Sequence, residues 1–261
     1  SIAIGKESLK ALTTGAGNVA VGYQALLEHT TGANNIAIGY GAMNDTGHSD
    51  CPTSQNNIFI GYDAGGGTWA NNDSNYNIGI GSYSMDAAMN SAERNIAMGY
   101  QTLSGNISGD DNVAIGHNAG LAINTGISNT VIGAYAGDAI TTGEMNVVVG
   151  SDAGGAMTDS SYSVIIGKGA LAAANSGEHS NVVIGYIAGA SIDHASSDNN
   201  VIIGVGAGTG GGAAMGNCVV IGDNAMNATD ANAQTGTIAI GSDALGALTS
   251  GAGNVAIGYQ S

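Results

Sequence analysis

The five residues Asn18-Val19-Ala20-Val21-Gly22 decide how this chain is read. They return as Asn35-Ile36-Ala37-Ile38-Gly39, as Asn112-Val113-Ala114-Ile115-Gly116 and as Asn254-Val255-Ala256-Ile257-Gly258. With the glycine as anchor the series runs Gly5, Gly22, Gly39, Gly61, Gly81, Gly99, Gly116, Gly133, Gly150, Gly167, Gly185, Gly204, Gly222, Gly241, Gly258. That is fifteen copies at spacings of 17 to 22 residues, most often 17. Self-similarity at so short a period is the signature of a solenoid, in which each repeat is one turn stacked on the last.

The residue before each anchor is aliphatic, and the one two places earlier is Val or Ile in every copy but Thr130. Strand side chains alternate faces, so these two positions share a face and form an expected inner ladder. The position between them is never polar: Ala20, Ala37, Phe59, Ala97, Ala114, Val131, Val148, Ile165, Val183, Ile202, Val220 and Ala239 occupy it. A strand apolar on both faces is covered on both faces. A lone solenoid covers only its inner face, so those twelve residues are the expected oligomer interface, with other copies of the chain as partner.

Three places after the anchor stands Ala, or else Ser8, Ser84 or Thr102, and the next residue is always Leu, Met or Gly. These positions suit a second short strand closing a flattened coil. Runs such as Thr30-Thr31-Gly32-Ala33 are turn formers. Four places before the anchor, Asn occurs in eleven of fifteen copies. Two readings stay open there, a stacked amide ladder or an Asn adopting a turn conformation.

Composition narrows the function classes. Four basic residues stand against twenty acidic ones, a formal charge of -16. That balance opposes nucleic-acid binding and docking on an anionic membrane. No apolar run approaches the ~20 residues of a spanning helix, and no signal peptide is visible. One Phe and one Trp among 261 residues exclude a large aromatic core. Cys51 and Cys218 fall about ten rungs apart, well over 40 Å at ~4.8 Å per rung, too far for a disulfide.

The Asn-(Val/Ile)-Ala-(Val/Ile)-Gly unit resembles the head repeats of trimeric autotransporter adhesins. The longer form Gly22-Tyr23-Gln24-Ala25-Leu26, followed by Thr30-Thr31-Gly32, resembles repeats found in bacteriophage tail fibres. The resemblance covers residues 1–261 and implies a parallel β-roll in a homotrimer. The adhesin repeat is shorter than 17 residues, so the coil dimensions are expected to differ.

Several residues invite chemical readings. Tyr follows the anchor at Tyr23, Tyr40, Tyr62, Tyr100, Tyr186 and Tyr259, as a sugar-binding stripe or as a structural row. Trp69 sits in a long excursion and would suit a receptor contact. Asp45, Asp50, Asp73, Asp110 and Asp111 offer oxygens for Ca²⁺, but no EF-hand or glycine-rich nonapeptide pattern is present, and solvated loop charge is the preferred reading. His48 and Cys51 lack the Cys-x₂-Cys partners of a zinc site. No carboxylate pair or Gly-x-Ser-x-Gly sequence singles out a catalytic centre.

The chain is therefore expected to be an all-β parallel β-roll or β-solenoid of about fourteen short rungs, at ~4.8 Å per rung. It reads as one repetitive domain over residues 1–261, excerpted from a longer fibre protein and packed axially as a homotrimer. The expected role is a non-enzymatic, structural and adhesive fibre segment, extracellular and part of a virion tail fibre. A bacterial cell-surface adhesin head and a carbohydrate-binding solenoid are the alternatives. No cofactor and no membrane insertion are expected. Partners would be other fibre or virion proteins, with a host glycan or protein receptor engaging Trp69, Tyr62, Asp73, His48 and Asp50.

Overall fold

The computed structural model describes residues 1–46, 53–69, 73–210, 213–228, 233–249 and 251–261. The chain packs as two compact units, Ser1–Ser128 and Asn129–Ser261. Both are parallel β-solenoids, and no helix occurs among the described residues.

Unit 1 contains β1 (Ile2–Ile4), β2 (Val19–Val21), β3 (Ile36–Ile38), β4 (Ile58–Ile60), β5 (Ile78–Ile80), β6 (Ile96–Met98) and β7 (Val113–Ile115). Each pairs with the next in strict parallel register, as in Val19↔Ile36, Ala20↔Ala37 and Val21↔Ile38. Unit 2 repeats the arrangement with β8 (Thr130–Ile132), β9 (Val147–Val149), β10 (Val164–Ile166), β11 (Val182–Ile184), β12 (Val201–Ile203), β14 (Val219–Ile221), β16 (Ile238–Ile240) and β17 (Val255–Ile257). Two-residue strands β13 (Met215–Gly216) and β15 (Gln234–Thr235) pair on a separate wall. Excursions of up to five extra residues leave the register untouched, because they leave and rejoin the coil between strands.

The anchor glycine has a stereochemical cause. All fifteen adopt φ between +130° and +148°, a region closed to L side chains. A Cβ on Gly22 would also lie 2.1 Å from the carbonyl oxygen of Gly39. Stacked anchors approach backbone to backbone, and nothing larger than hydrogen fits between them.

The expected second strand after the anchor does not form. The residue two places past each anchor has left-handed φ, as at Gln24 (+55°), Asp63 (+47°) and Gln101 (+49°). So does the residue four places past it, as at Leu26 (+52°), Met43 (+50°) and Leu103 (+48°). Left-handed φ at every second residue curls the chain into turns. These still bond rung to rung, as in Gln24 N–H to Lys6 O (3.0 Å) and Leu26 N–H to Ala42 O (3.0 Å). This explains the restriction to Leu, Met and Gly at the fourth position, since a β-branched side chain is strained there.

The two faces of the strand are reversed from the sequence expectation. Ala20, Ala37, Phe59, Ala97, Ala114, Val131, Val148, Ile165, Val183, Ile202, Val220 and Ala239 are all 0% exposed within the chain itself. They point into the coil and form its core, so they cannot be the oligomer interface. The flanking residues, expected inside, point outward; Ile38, Met98 and Ile115 are each more than a third exposed. Size alone does not set the direction, since Phe59, Ile165 and Ile202 lie inside as well. Alternation puts each core residue on the same face as the residue two places before it, most often asparagine, and those asparagines are buried, as Asn35 and Asn57 are.

Where the fourth position is Gly, a large residue shortly after it supplies the missing volume. A Cβ on Gly120 would come within 2.9 Å of Ile123 Cδ1, on Gly137 within 2.7 Å of Ile140 Cδ1, and on Gly154 within 2.6 Å of Met157 Sδ. Conversely, buried Leu171 is followed by buried Ala174. Constant packing density is kept by exchanging volume within one rung.

Candidate functional site

The asparagines four places before the anchor form the amide ladder, which runs inside the coil. Asn57 Oδ1 accepts the Asn77 N–H at 2.9 Å and the Asn77 side-chain amide at 3.2 Å. Asn77 Nδ2 also donates across the interior to Ala92 O at 2.8 Å. The same contacts recur at Asn95 and Asn112 in unit 1 and at Asn146 and Asn200 in unit 2. The turn reading belongs to the preceding residue instead, where Asn34, Asn56, Tyr76 and Arg94 have φ near +60°. His29 joins the ladder: its Nε2 accepts from Asn35 Nδ2 (3.1 Å), so Nδ1 carries the proton and donates to Thr46 Oγ1 (3.1 Å). Burial pushes its pKa down, in keeping with a neutral ring.

The outward face of the sheet is the feature that ordinary solenoid packing leaves unexplained. In unit 1 it carries Ile36 and Ile38, Ile58 and Ile60, Ile78 and Ile80, Ile96 and Met98 in parallel rows. No charged residue interrupts these rows in either unit. A sheet with one face in water normally shows polar residues there. A continuous apolar patch of this kind marks an interaction surface.

Beside those rows runs a line of rings. Tyr23 and Tyr40 stack at 4.9 Å, and Tyr40 and Tyr62 at 5.1 Å with planes 6° apart. Tyr62 meets Tyr83 at 5.3 Å, Tyr83 meets Tyr100 at 5.8 Å, and Tyr100 stacks on His117 at 5.4 Å. Lys6 Nζ lies 5.8 Å from the centre of the Tyr23 ring. Tyr23, Tyr40 and Tyr62 meet face to face, whereas Tyr62–Tyr83 and Tyr83–Tyr100 meet edge to face at 61° and 82°. Sequence reading missed Tyr83 and His117, because Tyr83 sits one place later in its repeat and His117 is not a tyrosine.

The residues expected to bind a receptor do not form one site. Tyr62 is exposed on the ring row, and the neighbouring Asp63 carboxylate holds its phenol above the usual range. Trp69 is fully buried, edge-on to Phe59 at 5.7 Å, with its indole N–H donating to Gly65 O at 3.1 Å. It is a core residue, facing away from any receptor. The signal that could have found it is Gly65: the small residue at the fourth position makes room for Phe59 and for the indole beside it. Asp73 accepts the Thr53 N–H (3.1 Å) and hydroxyl, tying two rungs together. His48, Asp50 and Cys51 lie outside the described residues. Since Trp69 is the chain's one tryptophan, native emission is expected to be blue-shifted and shielded from iodide, and to move red only on unfolding. Quenching in the native state would contradict the buried placement.

Other loop carboxylates hold rungs together in the same way as Asp73. Asp110 accepts the Glu93 N–H at 2.8 Å, and Asp198 the His179 N–H at 2.7 Å. Arg94 forks onto Asp111 at 2.7 and 3.2 Å and pairs with Glu93. Being exposed, that network contributes little stability. A shallow cavity of 330 Å³ is lined by Lys10, Ala11, Leu27 and Glu28. The Glu28 carboxyl is raised by burial and by a hydrogen bond with Asp45. Among the described residues no three His, Cys, Asp or Glu side chains are placed to share a metal ion. No helix among them is long and apolar enough to cross a membrane. Cys218 is a buried thiol with its pKa raised by burial.

No family model, curated protein or solved structure matches the chain.

Proposed function

We propose that this chain is a structural and adhesive fibre segment that assembles as a homotrimer through the outward face of its sheets, as part of a virion tail fibre. The observation that supports this most is the uninterrupted row of outward aliphatic residues, exemplified by Ile38, Ile60, Ile80 and Met98. The partner follows from periodicity. Knobs spaced one rung apart, ~4.8 Å, are matched along their length only by another parallel ladder with the same repeat. A second copy supplies that ladder, and the uncharged face lets chains of net charge -16 approach with their carboxylates held elsewhere. The number three comes from the resemblance to trimeric adhesin heads. Rung-to-rung bonding would make the assembly a stiff rod.

Light scattering at low concentration tests this reading. The expected mass is three times the chain mass of 25.4 kDa. Ile60→Asp together with Ile80→Asp is expected to yield monomers with an unchanged far-ultraviolet spectrum. A native protein that stays monomeric as concentration rises would overturn the proposal.

A further inference from the structure

Three positions of the unit 2 ladder lack asparagine, and two of them are filled in the same way. Each ladder Asn reaches across the coil to the carbonyl of the residue seven places before the next anchor. For ten asparagines that residue is small or unbranched: Gly, Ser, Ala or Met, as in Asn146 to Ser160 and Asn181 to Ser197. At the third rung of unit 2 the ladder residue is Ser163, too short to cross, and the residue opposite is Glu178. Three rungs later the ladder residue is Cys218, and the residue opposite is Gln234. At both of these rungs, where a small residue replaces Asn inside the coil, a long side chain comes from the opposite wall. Thr237, the third replacement in this unit, faces Gly251 without such a filler, and its buried hydroxyl has no hydrogen-bond partner.

Glu178 and Gln234 have the same shape, but one can ionise. Glu178 is 0% exposed, its Oε1 has no hydrogen-bond partner, and Oε2 receives only the Ser160 hydroxyl at 3.5 Å and its own backbone N–H. The neighbouring rungs add carboxylates and no cation: Asp159 on one side and Asp193 on the other, with Asp198 engaged by the His179 N–H. We infer that Glu178 is a proton-operated joint in the wall of unit 2: protonated, it stands in for the missing asparagine, and on losing the proton it loosens the rung. Burial together with Asp193 and Asp159 raises its pKa to about 7. A raised acid binds its proton more tightly when folded. The stabilisation is therefore complete below the unfolded value of 4.5 and is lost as pH rises through about 7.

Hydrogen exchange, corrected for the intrinsic chemical rate, reads the joint directly in the assembled protein. With 4.5 for the opened carboxyl and about 7 for the closed one, linkage predicts that protection over residues 160–182 falls roughly 30-fold between pH 5.5 and 8.5. Residues 215–237, around the neutral Gln234, are the internal control and should stay level. Glu178→Gln is expected to remove the pH dependence while keeping the protection seen at low pH. His179 Nδ1, on the same wall, accepts the Ser161 N–H at 3.1 Å, and Glu178→Gln leaves that contact in place. Equal protection of residues 160–182 at both pH values, or the same fall in Glu178→Gln, would overturn the inference. If that variant does not fold, the comparison of the two segments within the native protein still decides the matter.

Discussion

Replacing Gly39 by alanine is expected to leave unit 1 unfolded or nearly so. Two costs act together. The residue sits at φ +144°, where a Cβ-bearing residue is strained, at about 1–3 kcal/mol. The new methyl would also fall 2.0 Å from Gly61 O and 2.6 Å from Gly61 C. Those atoms are backbone, pinned by the Gly61 N–H bond to Ile38 O at 2.8 Å, so relief means parting two rungs. A total above about 4 kcal/mol is comparable to the whole stability of a small domain. Circular dichroism with thermal melting is the check, and an unchanged Tm would refute the packing described. Gly236→Asn is the matched control. Its φ is +64° with nothing within 4 Å of the added Cβ, and the equivalent position already holds Asn34, Asn56 and Asn199. It should be neutral or slightly stabilising.

The second large effect is expected at Asn77. Alanine there removes the acceptor for the Asn95 N–H (3.0 Å) and side-chain amide (3.2 Å), and the donor to Ala92 O (2.8 Å). Each buried polar group left without a partner costs about 1–3 kcal/mol, so Asn77→Ala should lose about 3–5 kcal/mol in denaturant unfolding. Asn77→Asp separates shape from hydrogen bonding. It keeps the acceptors but turns a buried carboxylate toward Asn57 Oδ1 and Ala92 O, so it should be as damaging at neutral pH. Acidification restores one donor and should return part of the loss. If both variants unfold like the native protein, the ladder is decoration on a coil stabilised by something else.

How much of this could be read beforehand differs from residue to residue. The anchor glycines announced both the period and the need for positive φ, because only one residue type satisfies that stereochemistry. Asn at a fixed place in eleven repeats left a stacked ladder and a turn residue both open, and the structure decided for the ladder. The direction of the strand was not legible. Ile36, Ala37 and Ile38 are all apolar, so alternation says which residues share a face without saying which face is inside. Trp69 was misplaced for another reason: its signal, Gly65 at the fourth position, gains its meaning only once Phe59 and the indole are seen to pack around it.

The amino-acid sequence by itself therefore determined the repeat, the parallel all-β coil and its glycine and asparagine columns, because each depends on local stereochemistry repeated at fixed intervals. Only the tertiary structure decided which way the walls face. That choice follows the buried asparagines: Asn35 reaches across the coil to Ser54 O at 3.0 Å, Ala37 shares its face by alternation, and Ile36 and Ile38 are left on the other side.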